Sequence, residues 1–276
     1  MTELPKAENL LHELKDGVLH VTFNRPQARN AMSSALLQEI VDTFAAIADD
    51  RSIRAVVLRG AGGHFCAGGD IKDMAQARMA KAKAAAGEDP VAGYNRGFGR
   101  MLRQVNEAPQ AVIAVCEGAV LGGGFGLACV SDVAFAHRDA KFGLPETGLG
   151  LPPAQIAPFV VERVGLAQAR RLGVCGGRFG GDEALRLGIV HEVFHGESQL
   201  QERLAATLKQ VMRCAPNANA VTKQLMLKVG RMDMDEVLDW GAQKFSECVV
   251  SDEGTEGTTA FIEKRLPSWA ADSNEK

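Results

Sequence analysis

Two apolar, strand-like runs each break into a glycine turn and then into a helix-like run, and this repeated transition constrains the fold more than any other feature. The first run is Ala55-Val56-Val57-Leu58, followed by His64-Phe65-Cys66-Ala67-Gly68-Gly69-Asp70-Ile71. The second is Ala111-Val112-Ile113-Ala114-Val115, followed by Gly122-Gly123-Gly124 and another apolar stretch. Glycine at such a turn lets bare backbone N–H groups approach a ligand, and the N-terminus of the next helix adds partial positive charge. Two such amides aimed at one point stabilise a developing oxyanion, and a carboxylic acid beside them can move protons. Glu146, in Phe142-Gly143-Leu144-Pro145-Glu146, is the candidate acid. Flanked by Phe142, Leu144 and Pro145, its carboxyl is expected to be partly desolvated, with its pKa raised towards the working pH. The parts predict acid–base chemistry next to an activated carbonyl.

The remaining sequence fits an α/β core. Leu19, Val21 and Phe23 alternate with Val18, His20 and Thr22 as in a half-buried strand, which Arg25-Pro26 ends. Ser33 or Ser34 can cap a helix whose apolar face is Leu36, Leu37, Ile40, Val41, Phe44 and Ile47. A short helix is expected from Ile71. Residues 75–95, alanine- and lysine-rich before Gly87-Glu88-Asp89-Pro90, predict a mobile helix and loop beside the site. Further strands are expected at 133–136 and 189–194, and helices at 156–175 and 182–187. From Gln199 on, the periodicity is helical throughout, so a boundary is placed at 198, between a 1–198 core and a 199–276 helical region.

Composition narrows the function classes. With 276 residues, 46% of them hydrophobic, the chain can bury one substantial core. A net charge of −3 and no basic, aromatic-interleaved stripe argue against nucleic acid or an anionic membrane as partner. The six cysteines are scattered, several inside apolar runs, with no CxxC pair and no Cys/His ligand spacing, which reads as buried, reduced thiols in a cytoplasmic protein without a metal site. Met1-Thr2-Glu3-Leu4-Pro5-Lys6 has no apolar export region, and no stretch reaches the roughly 18–20 apolar residues of a membrane span. Gly122-Gly123-Gly124-Phe125-Gly126 fails the GxGxxG spacing of a dinucleotide loop.

Taken in order along the chain, these residues resemble the crotonase (enoyl-CoA hydratase/isomerase) superfamily. The resemblance rests on Asn24-Arg25-Pro26 with Asn30-Ala31, the turn from Phe65 to Ile71, and Glu117-Gly118-Ala119-Val120-Leu121-Gly122-Gly123-Gly124. Asp132, the segment from Phe142 to Glu146, Gly148-Leu149-Gly150 and Phe261-Ile262-Glu263-Lys264-Arg265 complete it. It implies a spiral of repeated ββα units with perpendicular sheets, a C-terminal helical region, and assembly into homotrimers or dimers of trimers. It implies an acyl-CoA thioester as substrate, so that CoA belongs to the substrate and no separate cofactor is needed.

Carried over by position, the oxyanion-hole amides fall on Gly69 and Gly123 and the acid/base role on Glu146. CoA contacts fall on Arg29, Ala67, Gly69, Asp70, Ile71 and Lys72, with Phe261 and Lys264 reaching a CoA of the same or a neighbouring subunit. Glycine pairs alone more often mark ordinary turns. Arg29 and Lys264 also read as solvated surface charges, and Asp70 as the cap of the helix after the turn.

Two departures from the pattern stand out. Hydratases of this family with two glutamates carry the second one four residues into the helix after the second turn, where this chain has Gly126. The segment after Glu146 reads Leu151-Pro152-Pro153-Ala154-Gln155-Ile156-Ala157-Pro158-Phe159 instead of being glycine-rich. In that segment the chain resembles the branch acting on 3-branched glutaconyl-CoA esters, most closely the isohexenylglutaconyl-CoA hydratases of acyclic terpene degradation. The expected activity is hydration of such an ester. The alternatives are a Δ3,Δ2-enoyl-CoA isomerase using Glu146 alone and a non-catalytic binding protein on the same fold.

Overall fold

A computed structural model describes residues 2–271. Met1 and the last five residues of the expected 199–276 region lie outside the described residues. The main sheet has six strands: β1 (Leu10–Lys15), β2 (Val18–Phe23), β3 (Ala55–Gly60), β4 (Ala111–Cys116), then β6 (Val133–His137) and β9 (Glu192–Phe194). They lie side by side in that order. Only the first pair is antiparallel, and from β2 onward every pairing is parallel. A smaller sheet joins β5 (Ala119–Leu121), β7 (Lys141–Gly143) and β8 (Arg178–Phe179).

The chain passes repeatedly from a long strand to a short extended stretch and then to a helix. β2 leads through Met32 to α1 (Ser34–Ala46), and β3 leads through 66–69 to α2 (Ile71–Lys81). After α3 (Pro90–Asn106), β4 leads through β5 to α4 (Gly123–Val130). β6 leads through β7 and a 3₁₀ turn (Pro145–Leu149) to α5 (Ala157–Cys175). The short stretches lie against one another: Met32 bridges Gly69, Cys66 bridges Val120, and β5 pairs with β7. The architecture is the expected crotonase-type α/β fold. The ends of these short stretches, where the glycine turns lie, are brought to one place.

Alternation along the strands sorts the core into two sides. Leu19, Val21, Val56, Leu58, Val112 and Ala114 face the helices, packing with Phe125 and Phe142. Val57, Ile113, Val115, Phe135 and Phe194 face the other way and are closed by Leu200 and Leu204 of α7 (Glu197–Met212). α6 (Gly181–Arg186) precedes β9. After Phe194 the described residues hold helices only: α7, α8 (Pro216–Lys228), α9 (Met234–Val249), α10 (Asp252–Glu263) and α11 (Ser268–Ala271).

Several local readings need correction. Asp89-Pro90 starts α3: the Asp89 carboxylate accepts from the Val91 and Ala92 amides, and proline occupies the first turn, where its missing N–H costs nothing. The strand expected at 189–194 is only Glu192–Phe194, Ile189 and Val190 being buried in the preceding turn. Of the cysteines, Cys66, Cys116 and Cys129 are buried, whereas Cys175 and Cys214 are exposed.

Candidate active site

The first glycine turn is built by the Asn24-Arg25-Pro26 and Asn30-Ala31 residues. Asn30 is fully buried. Its amide donates to the Ala61 and His64 carbonyls at 2.9 and 2.6 Å, and its side-chain carbonyl accepts from the Arg25 amide at 2.8 Å. Arg25 pairs with Asp70 at 2.9 Å. Met32 accepts from the Asp70 amide and donates to the Gly68 carbonyl. In a parallel bridge of that pattern the Gly69 N–H leaves the opposite edge of the strand, towards β5 and the second turn.

The second turn meets the first there. Gly122 sits at φ +50°, ψ −116°, a conformation closed to residues with a side chain, and Gly123 opens α4, so its N–H has no acceptor within the helix. The Cβ position of Gly122 lies 3.4 Å from the Gly68 Cα. The Cβ positions of Gly69 and Gly123 both face the Phe98 ring, at 3.8 and 3.6 Å. The two turns are therefore back to back, with one aromatic ring of α3 over both.

Glu146 completes the cluster. Its Oε1 lies 2.8 Å from the Cβ position of Gly122, and its Oε2 is buried without a hydrogen-bond partner. Burial pushes the carboxyl above the ordinary carboxylate range, opposed only by its own backbone amide. A desolvated carboxyl beside two helix-turn amides can pass a proton to and from a carbon next to a carbonyl. The acids after β4 and before β6 are engaged elsewhere: Glu117 pairs with Arg59 at 2.7 Å and Asp132 with Lys223 at 2.5 Å.

The sequence model of the enoyl-CoA hydratase/isomerase family matches residues 13–272. The chain belongs to that family. A short-chain-enoyl-CoA hydratase of Clostridium acetobutylicum is 34% identical over 94% of this chain and 97% of its own length. A 2,3-dehydroadipyl-CoA hydratase of Escherichia coli is 31% identical over 91% and 94%. The solved structure of Pseudomonas aeruginosa AtuE superposes with a TM-score of 0.91 at 57% identity, covering 95% of this chain and all of that one.

Not every residue assigned from the family pattern joins the cluster. The Ala67 amide donates to the Arg29 carbonyl, which sets the exposed Arg29 beside the first turn. Ile71 and Lys72 are exposed at the start of α2. Asp70 is committed to structure: one carboxylate oxygen caps α2 through the Lys72 amide, the other takes Arg25, and its own amide is bonded to Met32. Of the two readings of Asp70, the helix cap is what its hydrogen bonds show. Phe261 stands exposed on α10, which packs on α9, and Lys264 is exposed just after its last turn.

The site also holds side chains the sequence did not single out. Tyr94, Phe98 and Leu102 form an i, i+4, i+8 stripe on α3, a spacing visible in the sequence once 90–106 is read as a helix. The Cβ position of Gly126 lies 3.0 Å from Leu102 Cδ1 and 3.3 Å from Ile156 Cγ2. The place of a second glutamate is thus filled by two apolar side chains, not left open for an acyl branch. Next to Ile156, the Gln155 amide donates to Asn95 at 3.1 Å and lies 3.5 Å from an Arg96 guanidinium nitrogen.

Proposed function

We propose that this enoyl-CoA hydratase-type enzyme adds water to a branched, glutaconyl-type enoyl-CoA thioester in the cytoplasmic degradation of acyclic terpenes or branched-chain acids. The observation that carries the chemistry is the buried, unpartnered Oε2 of Glu146 at the junction of the two glycine turns. Ionised Glu146 takes a proton from water as the water oxygen bonds to the β-carbon. The π electrons move to the thioester oxygen, where the Gly69 and Gly123 amides hold the enolate; losing one such donor typically costs roughly 10²–10³-fold in rate. The enolate then takes the proton from Glu146 at its α-carbon, the carbonyl re-forms, and one water has been added.

Two features support the acyl part of this reading. The 151–159 segment resembles that of the 3-branched glutaconyl-CoA hydratases, and its Gln155, together with Asn95 and Arg96, forms the amide–guanidinium group that suits a terminal carboxylate. The name of the E. coli relative likewise describes an acyl chain ending in a carboxylate. The absence of a carboxylate at Gly126 supports a second reading, proton transfer between carbons by Glu146 alone, which is isomerisation.

A panel of crotonyl-, 3-methylglutaconyl- and isohexenylglutaconyl-CoA distinguishes them. Water addition is expected to favour the branched glutaconyl esters by roughly 10⁴-fold in kcat/KM, the scale on which a site built for a polar group rejects substrates lacking it. Equal hydration of crotonyl-CoA would remove the carboxylate from the reading. Migration of the double bond without water addition would establish the isomerase.

A further inference from the structure

Four buried side-chain polar atoms lack a hydrogen-bond partner among the described residues: Tyr94 Oη, Glu146 Oε2, Asn106 Nδ2 and Gln110 Oε1. Asn106 and Gln110 lie at the far end of α3 and in the approach to β4, where the Gln110 amide is already bonded to the Ile47 carbonyl at 2.7 Å. The other two flank the glycine turns. Folded chains rarely leave such groups unmatched, and an orphan at a site of chemistry marks a partner that arrives with the ligand.

The place of the Tyr94 hydroxyl is well defined. It lies 3.9 Å from the Cβ position of Gly69, while the Phe98 ring, packed edge-on against Tyr94 at 5.3 Å between centroids, reaches both Gly69 and Gly123. The hydroxyl therefore lies on the Cβ side of Gly69, the side of the two turns that the Phe98 ring also covers. The charged groups near it are the Asp70 and Asp73 carboxylates, which together with burial hold the phenol neutral, its pKa pushed up to about 12. Asp70 is engaged by Arg25, and Asp73 accepts from the Ser34 amide. A neutral phenol with no acceptor among the described residues is an O–H donor available to an oxygen bound beside the glycines.

We propose that Tyr94 is a catalytic residue, whose hydroxyl donates a third hydrogen bond to the thioester oxygen as the enolate forms. This rests on the role given to Gly69, Gly123 and Glu146. It does not depend on which acyl chain is bound. The donor leaves the proton inventory unchanged: Tyr94 keeps its proton, and Glu146 alone exchanges one with the substrate.

The test separates enolate stabilisation from water binding. Tyr94→Phe keeps the ring against Phe98 and removes only the unpartnered hydroxyl, so the melting temperature is expected to hold or rise. Hydration of the preferred enoyl-CoA is expected to fall about 10²- to 10³-fold, mainly in kcat, as for the loss of one oxyanion donor. A saturated acyl-CoA, butyryl-CoA, incubated with the enzyme in deuterated water reports α-proton exchange with no water addition, and its exchange rate is expected to fall by a similar factor. Hydration reduced with exchange unchanged would place Tyr94 on the water and overturn the proposal, as would wild-type values for both. Wild-type enzyme that neither hydrates nor exchanges would overturn the reading of Glu146 and the glycine amides as well. Tyr94 is the only tyrosine in the chain, so ring-labelled protein gives a single phenol resonance. That resonance is expected to shift on adding butyryl-CoA and to stay in place with CoA alone; an unmoved resonance with butyryl-CoA also overturns the proposal.

Discussion

Gly122→Ala tests the junction of turn and acid most directly. The new Cβ would stand 2.8 Å from Glu146 Oε1 and 3.4 Å from the Gly68 Cα, on a backbone at φ +50°, ψ −116°. The backbone strain of a side chain in that region is about 1–3 kcal/mol. For a chain of this size that corresponds to a fall in Tm of roughly 2–10 °C. Carbon and oxygen settle no closer than about 3.3–3.5 Å, so the carboxylate must retreat by roughly half an ångström. Since a 1 Å misplacement costs about 10²-fold, kcat is expected to fall about tenfold, with KM little changed. The assay is loss of the conjugated enoyl absorbance beside a thermal melt. Gly148→Ala, in the 3₁₀ turn that carries Glu146 and with nothing within 4 Å of its Cβ position, is the control and should match wild type in both. A Gly122→Ala protein that melts lower yet keeps wild-type kcat would refute the placing of the reaction at Glu146.

Glu146→Gln should lower turnover at least about 10²-fold at nearly unchanged CoA affinity, since it removes the proton and keeps the volume. The folded pKa of Glu146 is raised, so protonation favours the fold; that contribution is full below the ordinary carboxylate value and is lost as pH rises through the folded one. The variant should therefore melt above wild type at neutral pH, with the gap closing below the carboxylate range, and the acid limb of wild-type kcat should lie above that range. A lower melt across the whole pH series would show that the carboxylate is a structural contact. On α9 and α10, Leu238, Phe245, Phe261 and Ile262 are each more than half exposed, and this apolar face is expected to line the subunit contacts of the homotrimer or dimer of trimers that the family resemblance implies. Light scattering of Phe261→Asp/Ile262→Asp should report a smaller species than wild type, and a wild-type monomer would sink this idea.

Much of the core was legible because buried strands and glycine turns leave strong local marks. The runs at 55–58 and 111–115 are too apolar for anything but an interior strand, and β3 and β4 are where those runs stand. The short strands β5 and β7 have three residues each, too few to show a period of two, and they exist because each lies against the next short stretch in space. α3 was hidden by composition. Its first turn carries proline and its neighbours carry alanine, lysine and glycine, while its buried face begins only at Phe98. Tyr94 went unnoticed with it. An orphan hydroxyl is a property of what surrounds it, and no residue type announces that. Asp70 shows the converse, since a residue at the position of a ligand contact in the family pattern has both its oxygens taken by local structure.

The two departures from the family pattern, Gly126 and the proline-containing 151–159 segment, are separate in sequence and joined in space. Ile156 caps the turn that leads into α5 and presses on the Cβ position of Gly126 together with Leu102 of α3. Adding even a Cβ at 126 tightens contacts that already stand at 3.0–3.3 Å, and a carboxylate beyond it would have to displace two buried apolar side chains. A charge driven into that packing would also be desolvated without a partner, which disfavours its ionised form. The same segment sets Gln155 against Asn95 and Arg96 of α3. Gly126, Ile156 and Gln155 are therefore linked through one set of contacts between 151–156 and α3. With no room for a carboxylate at 126, Glu146 is the one acid among the described residues that stands at the junction of the two turns.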